Sequence, residues 1–192
     1  MASSRTKQKQ KNIEELKTYS GEDRVISSVE MDLMFKAQPE ALVNVKSLLP
    51  GLDQATDGFQ DGELIAISGP TKNGKTLLAQ TIAVNLVKQQ EFPLFLSFEV
   101  PARQFLDQIS GNQAIPPMMY MPAKLKAHAI SWVEERMQEA FYKYHTRVAF
   151  IDHLHYLVDI ARMKQPSLEI GTVIRALKSI AVNNNFVIFL LC

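Results

Sequence analysis

The 192-residue sequence lacks the features that mark several large classes of protein. It has one cysteine, Cys192, which excludes an internal disulfide framework and a metal site built from cysteines. No apolar run approaches the roughly 18 residues that a transmembrane helix needs, and no apolar signal segment follows the basic start. The net charge is only +1, so no global field indicates nucleic acid or a membrane as a partner. We therefore expect a chain of the reducing cytoplasm, without a membrane partner.

Apolar segments of two kinds alternate along the chain. Short continuous runs predict buried strands over residues 64–68, 92–98, 148–151 and 186–191. Helical patterns separate them, one from Leu77 onward and others over residues 101–108, 124–143 and 168–182. Strands that alternate with helices are typical of βαβ units, so the sequence predicts an α/β fold with a mainly parallel central sheet.

A glycine-containing segment lies between the first predicted strand and its helix. Its residues are Gly69, Pro70, Thr71, Lys72, Asn73, Gly74, Lys75, Thr76 and Leu77. Strand, loop and helix with an intact Gly-Lys-Thr form the pattern of a P-loop. The glycines allow backbone N–H groups to turn towards phosphate at the start of a helix. Lys75 adds positive charge at the outer phosphates and the Thr76 hydroxyl can ligate Mg²⁺, so the segment predicts binding of Mg²⁺·ATP.

Two carboxylates follow predicted strands, where the functional groups of open α/β sheets gather. Asp152 ends an apolar strand and is predicted to hold Mg²⁺; the alternative is an aspartate that caps a turn. Glu99 ends another strand and is predicted to act as general base on water; the alternative is a surface glutamate. His153 and His155 could suggest a metal site, but no third ligand has suitable spacing, so solvated or hydrogen-bonded loop histidines are the preferred interpretation.

The two ends of the chain differ from this core. Residues 1–12 carry four basic residues and no acidic one, which indicates a solubilising tail or, alternatively, an arm on DNA phosphates. Residues 13–34 indicate a linker or docking segment without its own core, interrupted at Ser20-Gly21 and Ser27-Ser28. We assign residues 1–44 as basic tail and linker and residues 45–192 as the core. Because the chain ends inside a predicted buried strand, we expect the core to be truncated at its C-terminus.

Four segments resemble, in the same order, the RecA-like domain of DnaB-type replicative helicases. They are GLDQATDGFQDGELIAISGPTKNGKTLLAQTIA, LFLSFEVPARQFLDQI, FIDHLHYL and LEIGTVIRALKSIAVNNNFVIFLL. The last includes the glutamate and the Arg-x-Leu-Lys pattern at Glu169 and Arg175 to Lys178. The resemblance spans about Val45 to Cys192 and implies a P-loop NTPase with the RecA-like three-layer sandwich.

The resemblance also implies roles and partners. Lys75 and Thr76 would bind phosphate and Mg²⁺, Glu99 would activate water, and Asp152 would hold the metal. The implied activity is ATP hydrolysis in a hexameric ring on single-stranded DNA, within the cytoplasm of a bacterial or phage-infected cell and associated with its nucleoid. The family's polar sensor, DNA-binding loops and trans-acting arginine would lie beyond Cys192, so weak hydrolysis is expected from this chain. His153 and His155 depart from the usual tyrosine and glutamine.

Two other functions stay open from the sequence. The first is a recombination or clock-type RecA-like ATPase, against which the Ser97–Glu99 segment and the segment around Glu169 argue. The second is a helicase loader or accessory protein that uses ATP as a switch. Glu99 argues against that reading, because a switch has less need of a catalytic base. No stacked aromatics interleaved with basic residues mark a nucleic-acid surface.

Overall fold

A computed structural model divides the chain into two units, Met1–Ala41 and Leu42–Cys192. The structure describes residues 12–21, 24–37, 44–126, 130–158 and 166–192. The basic residues of the predicted tail or DNA-binding arm, Arg5, Lys7, Lys9 and Lys11, lie outside the described residues. The assignment of residues 1–44 as tail and linker stays a prediction.

The first unit is helical over much of its described length. Residues 12–17 form α1, and Ser28–Ala37 form α2. Ser27 was predicted to interrupt a helix, but its Oγ accepts a hydrogen bond from the Glu30 backbone N–H at 3.1 Å and so caps the start of α2. No residue of α2 is buried. This unit therefore has helices where the sequence indicated a linker or docking segment without its own core.

The second unit contains strands and helices in alternation. In chain order its described elements are β1 (Asn44–Val45), α3 (Pro50–Thr56), β2 (Phe59–Gln60), β3 (Leu64–Ile67), α4 (Lys75–Lys88), β4 (Leu94–Ser97), α5 (Ala102–Ser110), α6 (Ile130–Tyr144), β5 (Val148–Asp152), a 3₁₀ turn (Leu154–Tyr156), α7 (Pro166–Asn183) and β6 (Val187–Leu191). Within this described part, β3, β6, β5 and β4 form a parallel sheet in that spatial order. No helix of the described segments has the length and apolar character to cross a membrane.

Helices cover both faces of the parallel sheet. Phe95, Phe150 and Phe189 lie in register on β4, β5 and β6, on the face that packs against α4 and α5. Their rings stack with centroid separations of 5.2 and 4.6 Å. Leu96 and Ile151 point to the opposite face and pack with α6 and α7. Because both faces of the sheet are covered, β4, β5 and β6 are apolar except for Ser97 and Asp152 at the carboxyl ends of β4 and β5. The predicted three-layer α/β sandwich is confirmed.

A lead-in segment, residues 44–60, anchors the chain before it enters β3. Strands β1 and β2 pair antiparallel across α3. Asn85 of α4 is buried, and its Nδ2 donates a hydrogen bond to the carbonyl of Ser47 at 2.9 Å. Phe59 packs its edge against Phe189, with ring centroids 4.9 Å apart. The lead-in segment is thus tied both to the P-loop helix and to the sheet.

One predicted helix begins later than expected. The pattern placed its start at Lys124, but residues 124–126 are not helical and the described helix α6 begins at Ile130. The preceding chain runs beside β4: the Phe95 N–H donates to the Tyr120 carbonyl at 2.8 Å, and the Tyr120 N–H donates to the Pro93 carbonyl at 2.9 Å. These contacts with the sheet hold the chain extended, which local periodicity could not indicate.

Candidate nucleotide-binding site

The loop between β3 and α4 has the backbone form of an anion site. Lys72 and Gly74 adopt left-handed conformations, with φ of 67° and 79°. Nothing would lie within 4 Å of a Cβ at Gly74, so its backbone conformation rather than crowding favours glycine. Gly74 caps α4 without a side-chain hydrogen bond. The first N–H groups of α4 are therefore open to an anion, as the sequence predicted.

Lys75 is the first residue of α4, and its side chain folds over the loop. Its Nζ donates hydrogen bonds to the carbonyls of Gly69 at 2.8 Å and Pro70 at 3.0 Å. These two carbonyls hold the ammonium group beside the open N–H groups of the helix. The loop thus brings one full positive charge and several N–H dipoles to one place, an arrangement suited to phosphate.

Asp152 lies at the carboxyl end of β5 and is completely buried. Neither of its carboxylate oxygens completes a hydrogen bond within the described chain. Burial raises the pKa of Asp152 to about 6, and Glu99 adds to the rise, while the Thr76 hydroxyl and Lys75 oppose it. A buried carboxyl group whose oxygens lack partners is costly unless a cation or a donor completes the site.

These surroundings fit a magnesium ion. Mg²⁺ prefers oxygen ligands and is usually held by one or two protein oxygens together with phosphate and water. Asp152 offers two oxygens without hydrogen bonds, and the Thr76 hydroxyl lies near enough to favour the charged carboxylate. The described residues contain no group of three or more His, Cys, Asp or Glu side chains that could hold a metal by themselves, so an ion here would also need phosphate and water as ligands. The pair Thr76 and Asp152 is thus the place where oxygen donors suit a cation.

Pairing of β4 with β5 places Glu99 beside Asp152. The backbone N–H groups of Phe98 and Glu99 donate to the Asp152 carbonyl at 2.6 and 3.3 Å, so the ladder continues past the end of β4. The buried Ser97 hydroxyl donates to the Val100 carbonyl at 2.7 Å and closes the turn around Glu99. The Glu99 side chain is exposed at this turn. A carboxylate in contact with solvent at this position can reach a water molecule above the loop.

Two clefts, of about 620 and 450 Å³, open around Lys75. Thr71, Lys75, Glu99 and His153 line both clefts. The other residues of the segment 69–77 that line one or the other are Gly69, Pro70, Lys72, Gly74, Thr76 and Leu77. Asn73 lines neither cleft, and its N–H donates to the Pro70 carbonyl at 3.4 Å within the loop. The structure therefore brings the predicted site residues to one pair of clefts, except for Asn73 and the buried Asp152.

Some lining residues were missed by sequence reasoning. Gln80 of α4 and Gln108 of α5 join through a hydrogen bond of 2.9 Å in the wall of the larger cleft. No local pattern singles out Gln108, because only the packing of α5 on α4 brings it there. Cys192, not expected to act as a sensor, lines the smaller cleft. Burial raises the pKa of its thiol, and nearby Lys75 opposes that rise.

The two histidines after Asp152 contact each other. His153 Nδ1 lies 2.6 Å from His155 Nδ1, and their ring centroids are 4.4 Å apart. His153 also accepts a hydrogen bond from the His155 backbone N–H at the start of the 3₁₀ turn. The interpretation of these residues as hydrogen-bonded loop histidines is confirmed. Burial lowers the pKa of His153, and the neighbouring His155 and Lys75 lower it further against the effect of Glu99.

Sequence relatives identify the type of domain. A family model described as "ATPase: KaiC" matches residues 45–114. A "Probable replicative DNA helicase" from Trieres chinensis is 33% identical over 92 residues, which cover 47% of this chain and 20% of that protein. The "Replicative DNA helicase DnaB" of Treponema pallidum (strain Nichols) is 43% identical over 60 residues, 31% of this chain and 14% of that protein. This part of the chain is thus similar in sequence to DnaB-type replicative helicases.

Solved structures show the same fold. One is described as "The Structure Of A DnaB-Like Replicative Helicase And Its Interactions With Primase"; its TM-score is 0.68 at 17% identity, over 90% of this chain and 49% of that chain. A second solved structure, described as an ATPase domain, has a TM-score of 0.66 at 15% identity, over 85% of this chain and 68% of that chain. The matches to the curated relatives span a fifth or less of their length.

Proposed function

We propose that this chain binds Mg²⁺·ATP and hydrolyses it as the motor core of a DnaB-like replicative DNA helicase that acts on single-stranded DNA. The observation that carries the proposal is the buried Asp152 carboxylate without hydrogen bonds, beside Thr76 and beneath the P-loop. A purely structural aspartate at this position would have hydrogen-bonding partners, because an unpaired buried carboxylate destabilises the fold. The names of the sequence relatives support the helicase assignment.

Each residue of the site has a distinct role in this proposal. The N–H groups at the start of α4 and the Lys75 ammonium bind the phosphates. Thr76 and Asp152 hold the magnesium ion, which neutralises negative charge on the outer phosphates when it is bound. Glu99 orients a water molecule and accepts its proton, since the exposed carboxylate lies beside the metal-binding carboxylate but in contact with solvent.

The wider assembly is also a proposal. We expect six copies to form a ring around single-stranded DNA, with each nucleotide completed by an arginine from the neighbouring subunit. Such an arginine contributes roughly 10³- to 10⁵-fold to the rate of phosphoryl transfer, so the isolated chain should hydrolyse ATP slowly. The cytoplasm of a bacterial or phage-infected cell, close to its nucleoid, is the corresponding location, because the relatives are named as replication helicases.

A clock-type or recombination ATPase is the second candidate, because the matching family model is described as "ATPase: KaiC". That match ends at residue 114, before β5 and Asp152. It covers the P-loop and Glu99, which RecA-like ATPases of either kind need for nucleotide chemistry. Dependence on single-stranded DNA distinguishes the helicase from the clock-type ATPase, and turnover itself distinguishes both from the third candidate, a loader that binds ATP without turnover.

The test is steady-state ATP hydrolysis by the full chain with Mg²⁺, alone, with an oligo(dT) strand and with a duplex of the same length. We expect stimulation by the single strand and loss of turnover in Lys75→Ala and Glu99→Gln. A thermal shift with Mg²⁺·ATP checks that each variant is folded and shows whether it binds nucleotide. Nucleotide binding without turnover under all conditions would favour the loader, and turnover indifferent to DNA would favour the clock-type ATPase.

A further inference from the structure

His153 is placed at the centre of the site but has no role in the proposal above. It follows Asp152 directly, lines both clefts and is partly buried. Lys75 and Glu99 line the same two clefts. Lys75 binds the outer phosphates in the proposed function, and Glu99 acts where water attacks the terminal phosphate. A side chain that lines the same two clefts as these groups is within the space that the terminal phosphate would occupy.

The hydrogen bonds of His153 determine which of its ring nitrogens carries a proton. The backbone N–H of His155 can only donate, and it donates to His153 Nδ1 at 3.4 Å. His153 Nδ1 is therefore the unprotonated nitrogen, and the proton of the neutral ring lies on Nε2. His155 Nδ1, 2.6 Å from the same atom, must then be the donor in the histidine pair.

We propose that His153 uses its Nε2–H to donate a hydrogen bond to the terminal phosphate of a bound nucleoside triphosphate, and so distinguishes triphosphate from diphosphate. This inference rests on the proposed function, because it requires that the clefts bind nucleotide. The donor is neutral, so it can donate to a phosphate oxygen without placing a second positive charge beside Lys75. This donor differs from the N–H groups at the start of α4, which bind the phosphates that the triphosphate and the diphosphate share.

His155 is a positioning residue in this inference. It lies in the 3₁₀ turn, which is closed by hydrogen bonds from the Tyr156 N–H to the His153 carbonyl at 3.0 Å and from the Leu157 N–H to the Leu154 carbonyl at 2.9 Å. The turn holds both the backbone donor and the ring donor of His155 against His153 Nδ1. The two donors fix the tautomer of His153 before nucleotide binds. This lowers the entropy cost of ordering the His153 side chain on binding.

The binding test compares ADP with a non-hydrolysable triphosphate, AMP-PNP, by calorimetry on the full chain with Mg²⁺. His153→Phe keeps a ring of similar size without a donor, and we expect it to lose about 10- to 100-fold of the preference for AMP-PNP, with ADP affinity unchanged. His153→Gln places an amide N–H near the position of Nε2 and should recover much of the preference. His145→Asn, which removes an exposed imidazole that lines neither cleft, is the control.

The tautomer gives a second readout that needs no nucleotide. Long-range ¹H–¹⁵N spectra of ¹⁵N-histidine-labelled protein near pH 8, assigned with His153→Phe and His155→Phe, should show the Nε2–H form for His153 and the Nδ1–H form for His155. His155→Phe should also mix the tautomers of His153, an effect that a merely structural role would not produce.

The outcomes separate this inference from the proposed function. If the wild-type chain is folded but binds neither nucleotide, the proposed function fails. If it binds both and His153→Phe leaves the preference for AMP-PNP unchanged, only the role of His153 is wrong. A wild-type His153 protonated on Nδ1 would also overturn that role.

Discussion

The two carboxylates of the site lie on neighbouring strand ends but in opposite environments. Asp152 is completely buried, with both oxygens lacking hydrogen bonds in the described chain. Glu99 is exposed, although its backbone N–H donates to the Asp152 carbonyl. The sheet therefore places two chemically similar groups side by side and separates them only by depth.

This difference in depth indicates which group does which task. A buried carboxylate gains most from a cation that stays bound, because the low polarity around it strengthens their attraction. An exposed carboxylate can exchange protons with water and accept one during the reaction. We therefore assign the metal to Asp152 and the base to Glu99, and the following variants test that division.

The largest expected effect separates binding from chemistry. Glu99→Gln should lower the turnover number about 10²- to 10⁴-fold, because the amide cannot accept a proton, while affinity for Mg²⁺·ATP stays within about threefold. Asp152→Asn should also lower turnover, but it should in addition make nucleotide affinity insensitive to Mg²⁺. Hydrolysis assays and calorimetry with and without EDTA measure both, with Glu135→Gln on the exposed face of α6 as control. Equal loss of Mg²⁺ dependence in Glu99→Gln would contradict the division.

The next effect is on stability without ligand. Asp152→Asn should raise the free energy of unfolding at pH 7.5 by about 1 to 3 kcal/mol, because it removes a charge that the fold buries without partners. Asp107→Asn on the exposed face of α5 should change the free energy of unfolding by less than about 0.5 kcal/mol. Denaturant unfolding in EDTA provides the measurement. A destabilised Asp152→Asn protein would show that the carboxylate is structurally satisfied.

The gain in free energy of unfolding from Asp152→Asn should depend on pH. The pKa of Asp152 is raised from 3.8 to about 6 in the folded chain, so the folded state binds this proton more tightly than the unfolded state does. Below pH 3.8 the carboxyl is neutral in both states and costs nothing. As pH rises through about 6 the wild type loses stability relative to Asp152→Asn, and above that range the difference is constant. Unfolding of both proteins from about pH 4 to 8 measures the difference, which should show no slope above about pH 7.

The smallest effect concerns the turn that holds Glu99. Ser97→Ala removes the hydrogen bond from a buried hydroxyl to the Val100 carbonyl, and it should cost about 1 kcal/mol of stability. Turnover should fall because Glu99 loses its fixed position, while Mg²⁺·ATP affinity stays. Ser110→Ala removes a comparable bond to the Leu106 carbonyl at the end of α5 and should leave turnover unchanged. The same loss of turnover in both variants would mean that the turn at Glu99 has no special role.

Local sequence alone was enough to predict the parts of this chain whose structure depends on neighbouring residues. The apolar runs predicted all four strands of the parallel sheet, since strands buried on both faces need continuous apolar residues. The glycine at position 74 and the lysine beside it predicted the P-loop, because the left-handed turn and the phosphate charge each demand one residue type. Asp152 and Glu99 were predicted from their places after strands, and their roles stay proposals.

Only the tertiary structure decided what depends on residues distant in the sequence. Pairing of β4 with β5 placed Glu99 beside Asp152 across 53 positions of the chain, and packing made one carboxylate buried and the other exposed. Pairing of Tyr120 with the start of β4 holds the chain extended before α6, which begins at Ile130. The tautomer of His153 was likewise set by the 3₁₀ turn that brings His155 against it. Burial and hydrogen-bond partners are properties of the folded chain, so residue type and spacing could name these groups but not their chemical state.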